Sequence, residues 1–103
     1  MKKSSLIAML LLASIPVSGK EIQLLPDMMP WRPSSQEGYT LVIQKCTICH
    51  SAQYAEYQPP NTPKSYWTAQ VLRMKNNFNA PVTDEEVPVI VEYLNSTYGP
   101  NRK

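Results

Sequence analysis

Histidine and cysteine are scarce in this sequence. The chain contains one histidine and two cysteines among its 103 residues. A structural zinc site needs four ligands, so these three side chains cannot complete one. Because Cys46 and Cys49 are neighbours on one turn, a disulfide between them cannot close a long loop. The fold must therefore be stabilised by something other than a zinc site or a long-range disulfide.

A strong excess of charge is also missing, with ten Lys and Arg against eight Asp and Glu. Lys2 and Lys3 precede an uncharged apolar run over residues 6–15, and small residues follow up to Gly19. This order is typical of a secretory signal peptide. Cleavage after Gly19, the predicted site, would remove both lysines and leave the charges balanced. A balanced charge does not favour a nucleic acid or an anionic membrane as partner.

The apolar run is too short for a membrane-spanning helix. It has about half of the roughly 20 residues that such a helix requires. We therefore predict a cleaved signal peptide over residues 1–19 and no membrane insertion of the mature protein, with a retained anchor as the alternative. Cleavage leaves 84 of the 103 residues. A domain of that size buries only about 60 to 65 % of the surface that its unfolded chain exposes. It commonly needs a covalent cross-link or a bound metal for stability.

The five residues Cys46-Thr47-Ile48-Cys49-His50 carry the clearest chemical signal. C-x-x-C-H is the attachment signature of a c-type haem. Two thiols on one turn can each add to a vinyl group of the porphyrin, and the adjacent imidazole can then bind the iron. The predicted cofactor is therefore one covalently bound haem c, and the predicted residues that attach it are Cys46, Cys49 and His50.

Other uses of the two thiols fit the sequence less well. A thioredoxin-like dithiol would need a strand running into the cysteine pair within an alternating βα pattern, and neither is visible. A plain disulfide between Cys46 and Cys49 is the remaining alternative. In bacterial cytochromes c the thioether bonds form outside the cytoplasm, so the motif and the signal peptide support each other. The predicted location is the periplasm.

Residues 20–33 form a proline-rich extension between the signal peptide and the first predicted helix. Proline excludes a stable helix here and denies ladder hydrogen bonds to a strand. We expect Met28, Met29 and Trp31 to anchor this segment on its own domain or on a partner, because a tryptophan is rarely left in water. The main domain is predicted over residues 34–103.

The first predicted helix starts at Ser34, because Ser34 and Glu37 have the spacing of a capping box. Apolar residues then recur at helical spacing, at Tyr39, Val42, Ile43 and Cys46. Gly38 costs this helix about 1 kcal/mol relative to alanine. We therefore expect another backbone to approach closely at Gly38.

A second helix is predicted to begin near Ser65, after a rigid proline-rich loop. Four apolar residues fall on one stripe of this helix, namely Trp67, Val71, Met74 and Phe78. Asn79 can take the left-handed conformation that ends a helix, and Pro81 prevents continuation.

The third helix carries a second capping-box spacing, at Thr83 and Glu86. Pro88 lacks a backbone N–H, so this helix should begin irregularly or one turn later. Its apolar face is predicted to consist of Val87, Ile90, Val91, Leu94 and Tyr98. Gly99 and the following proline end the helix, and residues 101–103 are predicted to form a loose tail.

The second axial ligand of the iron cannot come from another histidine of the same chain, because His50 is the only one. The thioethers that remain after signal cleavage belong to Met28, Met29 and Met74. From the residues alone, these methionines and an open or weakly ligated iron are the alternatives.

The order of elements resembles class I cytochromes c. In that class the helix before the haem motif crosses the C-terminal helix at a small residue, and the methionine ligand follows the motif in the chain. The resemblance implies that Gly38 lies against Tyr93 or Leu94 and that Met74 is the second ligand. It also implies an all-α fold whose helices pack around one covalently bound haem.

A more specific pattern extends from Gly38 to Gly99. Its residues are His50-Ser51, Tyr54, Gln58-Pro59-Pro60, Trp67, Val71, Met74, Ala80-Pro81, Tyr93-Leu94 and Tyr98-Gly99. The pattern resembles the monohaem cytochrome subunit of bacterial sulfite dehydrogenases, the sulfite:cytochrome c oxidoreductases. Where that family is expected to have Tyr-Gly-Ala-Pro, this chain has Phe78-Asn79-Ala80-Pro81, so Phe78 has no hydroxyl to offer a propionate or a partner.

This resemblance implies an electron-transfer subunit with no catalytic residues of its own. It would accept electrons from a molybdenum-cofactor dehydrogenase subunit that oxidises sulfite, and it would pass them to a downstream cytochrome c. The alternatives are a free carrier, a subunit of another periplasmic dehydrogenase, or a haem sensor of small ligands. Tyr54 and Trp67 are further candidates for the cofactor site, either as hydrogen-bond donors to propionates or as rings packed against the porphyrin.

Overall fold

The computed structural model describes residues 14–20 and 28–102 of the chain. Within these ranges it contains no strand, and its helices are α1 (Glu37–Lys45), α2 (Gln53–Glu56), α3 (Lys64–Asn77) and α4 (Glu86–Tyr98). The prediction of an all-α fold is confirmed. Most of the predicted signal peptide and residues 21–27 of the extension lie outside the described residues. No helix in the described ranges is long and apolar enough to cross a membrane.

Helices α1 and α4 cross at Gly38. A Cβ atom at this position would lie 2.6 Å from the Cβ atom of Tyr93, and it would also overlap the carbonyl oxygen of Val89. The predicted close approach at Gly38 is therefore confirmed, and Tyr93 is one of its partners. Val42, one turn further along α1, is fully buried.

Helix α4 is the central element of the fold, because α1, α2 and α3 all pack against it. Its buried residues are Val87, Ile90, Val91, Tyr93, Leu94 and Tyr98, which confirms the predicted apolar face. Each large side chain of this kind contributes about 1.5 to 3 kcal/mol when it leaves water. Helix α3 also packs on α4 and buries Trp67 and Val71 of the predicted stripe.

Residues 28–32, called the strap below, pack on the domain. Trp31 is only 6 % exposed and belongs to the hydrophobic core, and Met29 is half-buried against that core. The carbonyl of Met29 accepts a hydrogen bond of 3.1 Å from the N–H of Ala52. The expectation that Met29 and Trp31 anchor the extension on its own domain is confirmed, whereas Met28 is largely exposed.

Arg32 fastens the strap to two helices. Its N–H donates to the Tyr98 hydroxyl at 2.9 Å, and its carbonyl accepts from the Tyr93 hydroxyl at 2.7 Å. Its guanidinium donates two hydrogen bonds, of 2.6 and 2.7 Å, to the Glu56 carboxylate, which raise the pKa of Arg32. Burial, followed by the hydrogen bond with Tyr98, raises the pKa of Tyr93. Tyr93 therefore stays protonated and keeps its role as a donor.

The end of the chain is anchored near the same place. The guanidinium of Arg102 donates to the carbonyl of Glu56 at 3.2 Å and to the carbonyl of Gln58 at 2.7 Å. The prediction of a loose tail is wrong for Arg102, because its side chain finds backbone acceptors just after α2. Local sequence does not indicate such acceptors, since they are more than 40 residues away in the chain.

The Thr83–Glu86 pair and the left-handed turn at Asn79 form as predicted, and α4 begins only at Glu86, later than a cap at Thr83 alone would give, as expected from Pro88. Thr83 and Glu86 form a capping box, in which the Thr83 N–H donates to Glu86 Oε2 at 2.9 Å and the Glu86 N–H donates to Thr83 Oγ1 at 3.3 Å. Pro88 is the third residue of α4, so its missing N–H removes no intrahelical hydrogen bond. Asn79 has a φ of 56°, in the left-handed region, just after α3.

The predicted capping box at Ser34 and Glu37 is wrong. Helix α1 begins at Glu37, and Gln36 occupies the position before it without a side-chain cap. The Ser34 hydroxyl accepts instead from the N–H of Gln36 at 3.1 Å. The bonds that Arg32 makes to α4 fix the path of the chain just before Ser34, which explains why the local preference for a cap does not prevail.

The Glu86 carboxylate should give the stability of the protein a recognisable pH dependence. A hydrogen bond from Lys45, followed by the one from the Thr83 N–H, lowers the pKa of Glu86. A lowered folded-state pKa stabilises above the unfolded-state pKa, and this stabilisation disappears as the pH falls through the folded-state value. We expect Glu86→Gln to lower the thermal midpoint at pH 7 and to approach the wild type below about pH 4.

Glu85→Gln is the matched control, because it removes the same charge from the exposed neighbouring residue. Thermal unfolding followed by circular dichroism from pH 3 to pH 8 makes the comparison. Glutamine can still accept from the Thr83 N–H, so equal midpoints for the Glu86 variant and the control at pH 7 would show that the ion pair with Lys45 does not contribute to stability.

Candidate cofactor-binding site

The C-x-x-C-H motif follows directly on the end of α1. The N–H groups of Cys46 and Thr47 both donate to the Val42 carbonyl, at 2.9 and 3.3 Å, and the Cys49 N–H donates to the Cys46 carbonyl at 3.3 Å. These turns leave Cys46 half-buried and Cys49 exposed, with no disulfide between them. Burial, and then the nearby Cys49, raise the pKa of Cys46 to about 11. The two thiols therefore differ in environment although they belong to one short turn.

The imidazole of His50 has one of its two nitrogens hydrogen-bonded. Its Nδ1 atom lies 2.8 Å from the carbonyl oxygen of Ser51. Since a carbonyl can only accept, Nδ1 carries the proton of the neutral ring, and Nε2 keeps a free lone pair. Metal-binding histidines usually donate their second N–H to such an acceptor. The ring is flanked by Trp31 and Tyr54, whose ring centroids lie 6.5 and 4.8 Å away.

An open cleft of about 470 Å³ lies beside the motif. The strap contributes Met28, Met29, Pro30 and Trp31 to its lining, and the remaining lining residues are Tyr39, Ile43, Thr47, Cys49, His50 and Ser51. Its volume falls within the range of about 300 to 1,000 Å³ that is usual for ligand and cofactor pockets. A group bound to Cys49 and His50 would therefore meet a largely apolar wall with a few polar groups.

Two buried indole nitrogens have no hydrogen-bond partner within the part of the chain that the structure describes. They are Nε1 of Trp31, a residue that lines the cleft, and Nε1 of Trp67. A buried donor left unpaired typically costs about 1 to 3 kcal/mol. An acceptor carried by a bound group would remove this cost at Trp31.

The structure brings Tyr54 to His50 but places Trp67 elsewhere. Tyr54 is 67 % exposed, so its hydroxyl has water available and its ring is weakly confined. Trp67 is 3 % exposed, and its ring centroid lies 6.3 Å from that of Tyr98. Tyr98 in turn contacts Trp31 at 6.1 Å. Trp67 is thus connected to His50 through Tyr98 and Trp31, and it is not part of the cleft lining.

The three candidate thioether ligands occupy different places. Met28 and Met29 line the cleft together with His50. Met74 is half-buried on α3 and is not among the residues lining the cleft. The backbone carbonyl of Met74 accepts from the N–H of Ala80 at 3.0 Å, across the turn that ends α3. The assignment of Met74 as second ligand stays a prediction.

Trp31 is one of the cleft residues that the sequence did not assign to the site. Its position within a proline-rich stretch indicated an anchor, but not what it would contact. The turn of helix α2 was also missed, because the polar residues of Gln53–Glu56 show no helical periodicity over four positions. Both elements are placed by contacts with distant residues, so short-range patterns could not have revealed them.

Within residues 14–20 and 28–102, no three side chains of His, Cys, Asp or Glu lie together in a way that could hold a metal ion. A scan against protein-family models and a search of curated proteins both found no match to the chain. The C-x-x-C-H motif and the geometry around it are therefore the features that indicate the function.

Proposed function

We propose that this protein is a class I cytochrome c with one haem, which carries single electrons and has no substrate site of its own. Cys46 and Cys49 would hold the haem through thioether bonds, and His50 and Met74 would be its axial ligands. The haem would supply the one-electron chemistry. The observation that carries the proposal is the motif in its setting. His50 has Nδ1 bonded to a carbonyl and Nε2 available, both thiols are free, and Cys49 lines the same cleft as His50.

Three features of the fold support this proposal. The cleft beside Cys49 and His50 has the apolar lining that a porphyrin requires. The unpaired indole N–H of Trp31 fits a group that brings its own acceptors, as a haem does with its propionates. The crossing of α1 and α4 at Gly38 is the arrangement expected from the resemblance to class I cytochromes c.

The narrower proposal concerns the partners. We infer that the electron donor is the molybdenum-cofactor subunit of a periplasmic sulfite dehydrogenase and that the acceptor is a downstream cytochrome c. The support is the residue pattern from Gly38 to Gly99 together with the predicted signal peptide. Phe78 stands at the position where the family has Tyr and is 64 % exposed. Its missing hydroxyl therefore leaves no interior acceptor unpaired, and the ring is available to a partner.

Exposed aromatic rings on α2 and just after it offer a docking surface for such partners. Tyr54 and Tyr57 are both about two-thirds exposed, and together with Gln53 and Gln58 they line a shallow groove of about 300 Å³. Aromatic side chains are enriched in the cores of protein–protein interfaces. A local and partly apolar patch agrees with the balanced charge of the chain after signal cleavage.

The first test is purification of the natively exported protein from periplasmic extract without disrupting its complexes. We expect one haem per chain that survives denaturation, because thioether bonds are covalent, and we expect a molybdenum protein to co-purify. Addition of sulfite should then reduce the haem, as seen in its α-band. The matched control is the same protein separated from the molybdenum protein, which sulfite should leave oxidised.

The outcomes separate the two levels of the proposal. A chain without covalent haem would contradict the cytochrome assignment itself. The haem-loaded chain could instead purify without a molybdenum protein and stay oxidised when sulfite is added to the whole extract. That result would support the cytochrome assignment and contradict the sulfite partnership. Another periplasmic dehydrogenase would then be sought as electron donor.

A further inference from the structure

The strap contacts His50 from the side of the hydrophobic core. We propose that Trp31 is a positioning residue for His50, so that the strap is part of the cofactor site and its indole ring confines the imidazole that binds the iron. The inference rests on the proposed function and deepens it, because it names a residue outside the C-x-x-C-H motif that controls the axial ligand.

Trp31 is held firmly enough to act in this way. On its N-terminal side, the Met29 carbonyl is bonded to the N–H of Ala52. On its C-terminal side, the Arg32 backbone is bonded to the hydroxyls of Tyr98 and Tyr93. The indole ring is 6 % exposed and packs edge-on against Tyr98 at 6.1 Å. The ring therefore cannot withdraw from its place unless the strap is released from α4.

The Trp31 ring matters for His50 because the other contacts that restrain the imidazole are weak. The hydrogen bond from Nδ1 goes to the carbonyl of Ser51, the next residue in the chain, which moves with the same turn. The second neighbouring ring, that of Tyr54, is two-thirds exposed. Trp31 is thus the buried ring next to the imidazole, with the two centroids 6.5 Å apart and the planes inclined at 44°.

Outer partners of a metal-bound histidine fix its tautomer and the orientation of its ring. When the Trp31 ring is removed, the imidazole should rotate more freely, and the hydrogen bond between Nδ1–H and the Ser51 carbonyl should break more often. This opening can be observed, because His50 is the only histidine of the chain and gives a single set of ring signals after ¹⁵N-histidine labelling.

The test uses the haem-loaded full-length protein in its ferrous state and measures the exchange of the His50 Nδ1 proton with solvent. Trp31→Leu, which removes the aromatic ring, should lose the protection of this proton, and the reduction potential should shift. Trp31→Phe restores an aromatic ring without the indole N–H, and it should recover most of the protection. Ile90→Ala, a truncation in the core of α4 outside the cleft lining, should lower stability without affecting the proton.

The results distinguish this inference from the proposed function. One covalent haem per chain in the wild type tests the function alone, and its absence would end both. Equal exchange rates and equal potentials for the Trp31→Leu and Ile90→Ala proteins, each with full haem content, would overturn the positioning role only. If Trp31→Leu does not fold, Tyr98→Phe serves instead, because it removes the acceptor of the Arg32 N–H while keeping the ring. It should cause a smaller loss of protection in the same direction, and unchanged exchange in that variant would likewise overturn the proposal.

Discussion

Replacing Met74 with leucine should let the ferrous protein bind carbon monoxide rapidly and completely at neutral pH, which the wild type should not do. Leucine resembles methionine in volume but has no sulfur to offer the iron. The reduction potential should also fall, since methionine ligation raises it. Carbon monoxide difference spectra and a potentiometric titration measure the two effects.

The other two thioethers provide matched controls, because Met28 and Met29 line the cleft beside His50 whereas Met74 does not. Met28→Leu and Met29→Leu should behave as the wild type in both measurements. If Met29→Leu lets the ferrous iron bind carbon monoxide and Met74→Leu does not, the second axial ligand comes from the strap. Rapid and complete binding by the wild type would instead contradict the electron carrier and favour a haem that senses small ligands.

Gly38→Ala should be the most damaging single-methyl substitution in α1. The added Cβ atom would meet the Val89 carbonyl and the Tyr93 Cβ atom, and neither atom can rotate away because both are fixed to the backbone of α4. Overpacking typically costs about 1 to 3 kcal/mol, and a site with two backbone-fixed neighbours should be at the upper end. The higher helix propensity of alanine offsets about 1 kcal/mol of this cost. The remaining loss of stability, about 2 kcal/mol, should lower the thermal midpoint by roughly 10 °C.

Thr40→Ala is the control for this substitution, because Thr40 is exposed on the same helix. It should stay within about 0.5 kcal/mol of the wild type, as most surface substitutions do. Thermal unfolding of samples with equal haem content makes the comparison. A midpoint for Gly38→Ala as high as that of Thr40→Ala would mean that α1 and α4 do not cross at this residue.

Sequence predicted the elements whose signals are local and strong. A glycine inside an amphipathic helix indicated the crossing, and Gly38 lies against Tyr93. The spacing of Thr83 and Glu86 predicted a capping box that forms. A glycine inside a helix and a threonine three residues before a glutamate each have a specific structural use, so these two signals are easy to interpret.

The features that sequence missed depend on contacts between distant residues. Ser34 had the same local signal as Thr83, yet the chain enters α1 along a path set by Arg32 and Tyr98, which are 66 residues apart. The place of Trp31 beside His50 likewise depends on how the strap is fastened to α4. At the candidate site, the motif itself was predictable, whereas the wall of the cleft required the tertiary structure.

The α1–α4 crossing also sets an order of events during folding. Lys45 at the end of α1 is bonded to Glu86 at the start of α4, 41 residues later. Until α4 has packed on α1, the turn that carries Cys46 and Cys49 lacks this support. Any enzyme that modifies the two thiols before that step meets an unfolded substrate, and the packing of the C-terminal helix ends the interval.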